Sequence, residues 1–346
     1  MDATHVRRVL ICEDSRTYAA GLSRLLEHDR EINVIGLCET AEQAIARLPA
    51  LRPDLVTMDL ELPGMSGVHA IEQIMGVVPV PILVLSGHVE RGSQTALHAL
   101  AAGALDALPK ADFDLRDPDS DAAQALRHRV KVLSDVHVIR HPRARLKPHR
   151  ASGSWTRRAS VIGICASTGG PQALAALLAG LPATFPIPVL VVQHIAAGFV
   201  DGFARWLDSE VPLPVQLAAP GAMPDRGILV APDGAHMLLR ADGTIDLDRT
   251  TVAGPHRPSG DVLLRSLAAS VGPDAVAVVL TGMGRDGAEG LRDVRAAKGL
   301  TIAQDEATSV VYGMPRAAAE CGAELVLSID DIPERLRALA PASQIR

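Results

Sequence analysis

Three apolar runs in the second half of the chain each lead to a residue that could take part in catalysis. SVIGICAS ends at Ser167, PVLVVQH ends at His194, and AVAVVLTGMGRDG passes through a glycine-rich turn to Asp286. A serine hydroxyl becomes a strong nucleophile when a histidine removes its proton, and an aspartate can orient that histidine. Parallel strands bring their carboxyl ends to one edge of a sheet, so these residues could meet there. The pattern indicates a serine hydrolase.

The segment STGGPQALAALLAG, which begins at Ser167, has the pattern of a helix start. Pro171 suits the first helical position. The N–H groups and the dipole of a helix N-terminus could stabilise an oxyanion beside the serine. There is a structural alternative, in which Ser167 or Thr168 only caps the helix and the histidine and aspartate are ordinary core and turn residues. The placement of all three residues at strand ends favours catalysis.

A second group of polar residues stands at the ends of predicted strands in the first half of the chain. Its members are Glu13 and Asp14, then Asp59, Ser86 and Lys110. Carboxylates gathered at one sheet edge would repel one another unless a hard cation such as Mg²⁺ joined them. A lysine and a hydroxyl beside them would suit phosphoryl transfer to Asp59, which depends on charge neutralisation and positioning. Any one of these residues could be an ordinary loop residue, but the matched strand ends favour the functional interpretation.

The elements that must position both groups follow an alternating strand and helix pattern. Residues 1–136 contain five such units, and a second series begins at residue 159. We therefore predict two doubly wound, mainly parallel α/β domains, the first flavodoxin-like and the second Rossmann-like. The run HMLLR-ADG-TIDLD adds an antiparallel hairpin to the second domain. Residues 137–158 contain seven Arg or Lys and no acid, and we interpret them as an exposed linker.

Composition restricts the function further. Apolar residues make up 48% of the chain and aromatic residues only 2%, so buried cores of Ala, Val, Leu and Ile are expected. The net charge of −6 gives no case for nucleic-acid binding. The four cysteines have no metal-binding spacing and are expected to be reduced. We find neither a signal peptide nor a run long enough for membrane insertion, and predict a cytoplasmic protein.

The first half resembles a response-regulator receiver domain over residues 7–136. The resemblance depends on the acidic pair, on MDLELPGMSG around Asp59, on LSG and on GALDALPK. It implies that a partner histidine kinase phosphorylates Asp59. It also implies a Mg²⁺ site formed by Glu13, Asp14 and Asp59, with Ser86 and Lys110 supporting the phosphoryl group.

The chain departs from the receiver pattern at two places. Ala107 stands where the family often has an aromatic residue, and Lys110 is followed by Ala111 rather than proline. These changes leave the residues for phosphoryl chemistry in place. The family's usual hydroxyl-to-aromatic switch lacks its aromatic member.

Residues 163–316 resemble the catalytic domain of chemotaxis receptor methylesterases. The matching motifs are GICASTGGP, VVQHI, GDVLLRSLA after HRPS, LTGMGRDGAEGL and AQDEATSVVYGMP. With its receiver, the chain is identified as a member of the chemotaxis response regulator protein-glutamate methylesterase/protein-glutamine glutaminase family. This implies hydrolysis of glutamate γ-methyl esters, and deamidation of glutamines, on methyl-accepting chemoreceptors. It also implies that Ser167 is the nucleophile, His194 the base and Asp286 the orienter of the histidine. The backbone N–H of Met283 would bind the oxyanion, and Thr168 would be a hydrogen-bonding neighbour.

The residues alone indicate a serine esterase or amidase of unknown substrate, with no cofactor expected at the hydrolase site. Two other interpretations stay open, an anion-binding module in which STGG holds a phosphate and an inactive adaptor that acts through its receiver. We hypothesise that the unphosphorylated receiver covers Ser167. Phosphorylation of Asp59 would then favour an open arrangement.

Overall fold

The structure is a computed structural model that describes residues 6–87, 89–136, 159–254 and 256–340, without the side chains of residues 89–94. The predicted linker, 137–158, lies outside the described residues. The chain divides into two compact units, Met1–Arg143 and Ala144–Arg346. No helix among the described residues is long and apolar enough to span a membrane.

Strands and helices alternate through the first unit. They are β1 (Arg7–Cys12), α1 (Arg16–Glu27), β2 (Ile32–Cys38), α2 (Ala41–Leu51), β3 (Leu55–Asp59), α3 (Gly67–Val77), β4 (Ile82–Ser86), α4 (Val89–Ala101), β5 (Asp106–Pro109) and α5 (Asp121–Ser134). Side-chain caps begin several of the helices, since Ser15, Thr40 and Ser66 each accept a hydrogen bond from a backbone N–H of the first turn.

The strands of the first unit form one parallel sheet in the order β2-β1-β3-β4-β5. This is the predicted flavodoxin-like order. The strands β3 and β4 are buried along their whole length, which explains their near-continuous apolar runs. Because all strands run the same way, the carboxyl ends of β1, β3, β4 and β5 share one edge of the sheet.

The second unit has more strands and one hairpin. Its elements are β6 (Val161–Ala166), α6 (Gly170–Ala179), β7 (Val189–Gln193), α7 (Val200–Glu210), β8 (Val215–Leu217), β9 (Ile228–Val230), β10 (His236–Leu239), β11 (Ile245–Asp248), α8 (Gly260–Val271), β12 (Ala275–Val279), α9 (Ala288–Ala296), β13 (Leu300–Gln304), α10 (Met314–Glu320), β14 (Leu325–Leu327) and α11 (Ile332–Arg337).

The main sheet of the second unit is parallel, in the order β14-β13-β12-β6-β7-β9-β8. The predicted hairpin is present as the antiparallel pair β10–β11, which forms a separate two-stranded sheet. From β6 the chain adds strands toward β8, and then returns to add β12 on the other side. The edge beside β6 is therefore the switch point at which ligands bind in open α/β sheets. The predicted fold class is confirmed.

Candidate functional site

Ser167 follows β6 directly and lies at the switch point. Its backbone N–H donates to the Thr281 carbonyl oxygen at 3.0 Å, which holds it against the segment after β12. Helix α6 has Gly169, with φ +73°, as its N-cap, so neither Ser167 nor Thr168 occupies the cap position. A side chain at Gly169 would also collide with Val310, whose Cβ lies 2.6 Å from the position of an added Cβ. The capping alternative for Ser167 is therefore wrong.

Asp286 lies in the turn between β12 and α9 and accepts a hydrogen bond from the His194 imidazole. The distance from His194 Nε2 to Asp286 Oδ2 is 2.8 Å, and both side chains are nearly buried. Because the carboxylate accepts, the neutral form of the ring carries its proton on Nε2 and its lone pair on Nδ1. The aspartate thus fixes both the orientation and the tautomer of the ring.

Three further donors surround the Asp286 carboxylate at the start of α8. The Ser259 hydroxyl donates to Oδ1 at 2.8 Å, the Gly260 N–H to Oδ2 at 2.6 Å and the Asp261 N–H to Oδ1 at 3.0 Å. Burial would raise the pKa of Asp286, but the His194 hydrogen bond and charge and these N–H groups hold it well below its usual range. The aspartate is therefore ionised near neutral pH.

Ser167 and His194 occupy corresponding positions on neighbouring strands. Ala166 pairs with Gln193 in the β6–β7 register, so the next residues on the two strands face each other. The Gln193 side-chain amide ties the two ends together by donating to the carbonyl oxygens of Ser167 and His194, each at 2.8 Å. Among the described residues, the Ser167 hydroxyl makes no hydrogen bond, and the buried Nδ1 of His194 has no partner. One group offers a proton and the other a lone pair.

The outer face of His194 is covered by His256. The two rings stack with centroids 4.2 Å apart and planes 16° apart. His256 is exposed and precedes α8, so it forms the solvent side of this part of the site. The stack therefore covers the face of the His194 ring that points away from the core.

The GMG turn lies against Ser167. An added Cβ at Gly282 would be 2.7 Å from the Ser167 Cβ, so only glycine allows this approach. The next residue, Met283, is half-buried, and its N–H donates to no other described residue. Thr168 is buried, and its carbonyl oxygen accepts a hydrogen bond from Thr281 Oγ1 at 3.0 Å. The turn could offer a backbone N–H to an oxygen that develops charge near Ser167.

The acidic residues of the first unit are close together at the edge formed by β1 and β3. Glu13, Asp14 and Asp59 each present a carboxylate oxygen within 4.8 Å of the other two. The Lys110 ammonium lies between two of them, 2.6 Å from Glu13 Oε2 and 2.6 Å from Asp59 Oδ2. Ser86 ends β4, the strand beside β3, and is buried. Glu13, Asp14, Asp59 and Lys110 therefore lie close together, and we name these four residues the acidic cluster; Ser86 ends the strand beside Asp59.

The acidic cluster is short of positive charge. Burial, with the nearby Asp59 carboxylate, raises the pKa of Glu13 despite the hydrogen bond from Lys110. Burial opposes ionisation of Lys110 as well, yet its hydrogen bonds to Asp59 and Glu13 leave the lysine pKa above its ordinary value. Among the described residues, the Lys110 ammonium pairs with two of the three carboxylates, those of Glu13 and Asp59. Hard oxygen donors in this arrangement suit Mg²⁺.

Sequence reasoning missed several residues that complete these groups. It assigned no role to Ser259, Gly260 or Asp261, although HRPS followed by GDVLLRSLA has the N-cap signal of a helix. It also missed Gln193 and His256. Only the strand register shows that Gln193 reaches across to Ser167.

Comparisons with known proteins agree with this architecture. The family model described as CheB methylesterase matches residues 162–336, and the one described as response regulator receiver domain matches residues 9–117. The crystal structure of the Thermotoga maritima CheB methylesterase catalytic domain is similar, with 38% sequence identity and a TM-score of 0.51. That match covers 53% of this chain and 99% of the Thermotoga chain.

Curated relatives match over nearly the whole length. A Myxococcus xanthus (strain DK1622) protein named protein-glutamate methylesterase/protein-glutamine glutaminase 4 is 41% identical over 341 residues, which cover 95% of this chain and 96% of the relative. An Anaeromyxobacter dehalogenans (strain 2CP-C) protein named protein-glutamate methylesterase/protein-glutamine glutaminase 3 is 45% identical over 339 residues, which cover 95% of this chain and 98% of the relative.

Proposed function

The chain belongs to the CheB methylesterase family and carries a response regulator receiver domain, and we propose that it hydrolyses glutamate γ-methyl esters of methyl-accepting chemoreceptors under the control of phosphorylation. The predicted family and enzyme class, protein-glutamate methylesterase and protein-glutamine glutaminase, are confirmed. One observation carries the assignment of residues. The His194–Asp286 pair stands beside Ser167 at the switch point of the sheet, with Nδ1 of His194 available as a base.

In the proposed reaction, the Ser167 oxygen attacks the γ-carbonyl carbon of the ester while Nδ1 of His194 takes the hydroxyl proton. The imidazolium then gives this proton to the methoxy oxygen, the carbon–oxygen bond breaks and methanol leaves. Water, deprotonated by the same nitrogen, hydrolyses the glutamyl–serine ester and regenerates the hydroxyl. With a glutamine side chain, the same steps release ammonia.

Two other residues support this reaction. Asp286 stabilises the imidazolium, because its carboxylate is ionised and already bonded to Nε2. The Met283 N–H is our candidate donor to the oxyanion of the tetrahedral intermediate. Thr168, which follows the nucleophile, is proposed as a neighbour that lines the site.

In the receiver, we assign phosphoryl acceptance to Asp59 and phosphoryl donation to a partner histidine kinase. A carboxylate oxygen of Asp59 would bond to phosphorus as the bond to the donor breaks. Lys110 and Ser86 would contact the oxygens of the new group. Glu13, Asp14 and Asp59 fit Mg²⁺, because their oxygens can converge on one ion. When bound, Mg²⁺ would neutralise charge shared by the carboxylates and the phosphoryl group.

We propose that residues 1–136 sense phosphorylation, that residues 159–346 perform hydrolysis, and that residues 137–158 link them. Phosphorylation would raise the rate by favouring a state in which Ser167 accepts the receptor. A tenfold increase needs a bias of only about 1.4 kcal/mol between the two states.

Methanol release from a methylated receptor fragment tests the proposal. The full chain should release methanol, and release should increase when a small phosphodonor such as acetyl phosphate is added. Ser167→Ala should release none, whereas Ser209→Ala, which changes an exposed serine of α7, should match the wild type. If the wild type released no methanol in either condition, the chain would be an adaptor rather than an esterase.

A further inference from the structure

Tyr18 follows the acidic pair closely in the chain, because it lies in the first turn of α1. Its N–H donates to the Ser15 hydroxyl at 3.3 Å, and the Ser15 N–H donates to Glu13 Oε1 at 3.3 Å. The tyrosine therefore sits in the first turn of the helix that begins just after the acidic pair, and these hydrogen bonds fix its position relative to Glu13.

The Tyr18 ring lies against the one ammonium group that the acidic cluster contains among the described residues. Lys110 Nζ is 4.8 Å from the ring centroid and, at the same time, 2.6 Å from carboxylate oxygens of both Glu13 and Asp59. A cation over an aromatic face is attracted by the ring's negative potential. The ring thus helps to keep the lysine between the carboxylates.

The Tyr18 hydroxyl is a buried donor that the described residues leave without a partner. Burying a hydroxyl without a hydrogen bond is unfavourable, and such groups in folded proteins call for an explanation. A phenol of ordinary pKa is protonated at neutral pH, so this hydroxyl can donate a hydrogen bond to an acceptor that comes close to it.

A phosphoryl group would supply acceptors at this place. Attached to Asp59, it adds negatively charged oxygens beside Lys110, the residue on which the Tyr18 ring lies. Ala107, which is buried on β5 just before Lys110, has a methyl side chain and offers no donor to these oxygens. The chain's other tyrosine, Tyr312, belongs to the second unit.

We propose that Tyr18 binds the phosphoryl group of the phosphorylated receiver, with its hydroxyl donating a hydrogen bond to a phosphoryl oxygen and its ring holding Lys110 in place. This proposal rests on phosphorylation of Asp59. The tyrosine would strengthen the bound state through a charge-assisted hydrogen bond.

Beryllofluoride binding to the full chain, with Mg²⁺ present, tests the proposal by ¹⁹F NMR. Its fluorines stand in for phosphoryl oxygens, so each bound resonance reports the donors around it. Tyr18→Phe keeps the ring and removes only the unpartnered hydroxyl; it should shift at least one bound resonance and weaken binding about tenfold. Tyr18→Leu also removes the contact with Lys110 and should weaken binding further. Tyr312→Phe, the same change in the other unit, should leave the bound resonances unchanged.

The outcomes separate this proposal from the one on which it rests. If the wild type bound beryllofluoride no better than Asp59→Asn, the phosphoryl-accepting role of Asp59 would be wrong, and the role of Tyr18 with it. If the wild type bound and Tyr18→Phe gave the same resonances and affinity, only the role of Tyr18 would be overturned. Circular dichroism of both Tyr18 variants checks that the fold is retained.

Discussion

Both units place carboxylates at the carboxyl ends of parallel strands, but they surround these carboxylates in opposite ways. Asp286 accepts hydrogen bonds from an imidazole, a hydroxyl and two backbone N–H groups. In the acidic cluster three carboxylates lie close to one another, and among the described residues Lys110 pairs with two of them. As a result the pKa of Asp286 is lowered, whereas the pKa of Glu13 is raised.

The difference matches the two proposed roles. A carboxylate whose donors all come from the protein is fixed in charge and position before substrate arrives, as electrostatic catalysis requires. A cluster that lacks positive charge is stabilised when a cation binds, and it responds to the negative charge that a phosphoryl group adds. With these proposed roles, the same position in the fold would be a preorganised site in one unit and a responsive site in the other.

The largest expected effect is on the preorganised side. Asp286→Asn should lower kcat for methyl-ester hydrolysis by about 10⁴-fold, because a neutral amide neither stabilises the imidazolium nor fixes the tautomer of His194. Steady-state methanol release measures the loss. Asp246→Asn, a change at a half-buried residue of β11 that pairs with Arg240, serves as the control and should leave kcat unaltered. Equal rates in the two variants would remove Asp286 from the mechanism.

A smaller effect is expected from one of the donors around Asp286. Ser259→Ala should lower kcat about tenfold, because the carboxylate loses one charge-assisted hydrogen bond. It should also cost about 1 kcal/mol of stability, because the Ser259 hydroxyl accepts from the Val262 N–H as the N-cap of α8. Ser259→Thr keeps the hydroxyl and should recover most of both losses. A loss of stability without any change in kcat would make Ser259 a cap only.

On the responsive side, added Mg²⁺ should stabilise the first unit. At about 100 times the dissociation constant, binding adds about 2.7 kcal/mol to the free energy of unfolding. Asp14→Asn should reduce the gain, because Asp14 is the exposed member of the acidic cluster and keeps an oxygen within reach of the other two. Differential scanning calorimetry with and without Mg²⁺ measures it. If Mg²⁺ left the unfolding of the wild type unchanged, the proposed metal site would be wrong.

The smallest effect concerns the pH dependence of stability, which should have opposite signs in the two units. Because the pKa of Glu13 is raised in the folded protein, the contribution of this residue to stability is fully present below the ordinary glutamate pKa. The contribution is lost as the pH rises through the pKa of the folded state. Glu13→Gln should therefore raise stability at neutral pH, and the gain should vanish below about pH 4. Urea unfolding at several pH values checks this.

The contribution of Asp286 to stability should depend on pH in the opposite direction. Its lowered pKa contributes stability that is present above the ordinary aspartate value and is lost only as the pH falls through the folded one. Asp286→Asn should therefore lower stability at neutral pH, with the difference shrinking in acid. If Asp286→Asn instead raised the free energy of unfolding at neutral pH, the proposed difference between the two sites would be wrong.

The strand pattern predicted much of this fold, because runs such as SVIGICAS and PVLVVQH have the continuous apolar character of buried parallel strands. It also predicted that Ser167, His194 and Asp286 share one sheet edge, since each follows such a run. The donors around Asp286 could not be predicted in the same way. Their contact depends on how α8 packs beside the turn after β12, which is a tertiary arrangement without a local signal.

The acidic cluster shows the same limit. Strand ends predicted Glu13, Asp59 and Lys110 together, but Tyr18 is a helix residue whose spacing resembles that of any amphipathic position. Its contact with Lys110 depends on the direction of one side chain. Which imidazole nitrogen of His194 faces Asp286 is likewise a matter of ring orientation, which no sequence pattern records.

Covalent labelling tests the central claim most directly. An alkyl fluorophosphonate reacts with a serine hydroxyl that a neighbouring base has activated, and peptide mass spectrometry identifies the modified residue. We expect a single modified serine, Ser167, with labelling much slower in Asp286→Asn and methanol release lost in step with labelling. Full hydrolysis by a chain on which Ser167 stays unmodified, or labelling at the same rate without Asp286, would contradict it.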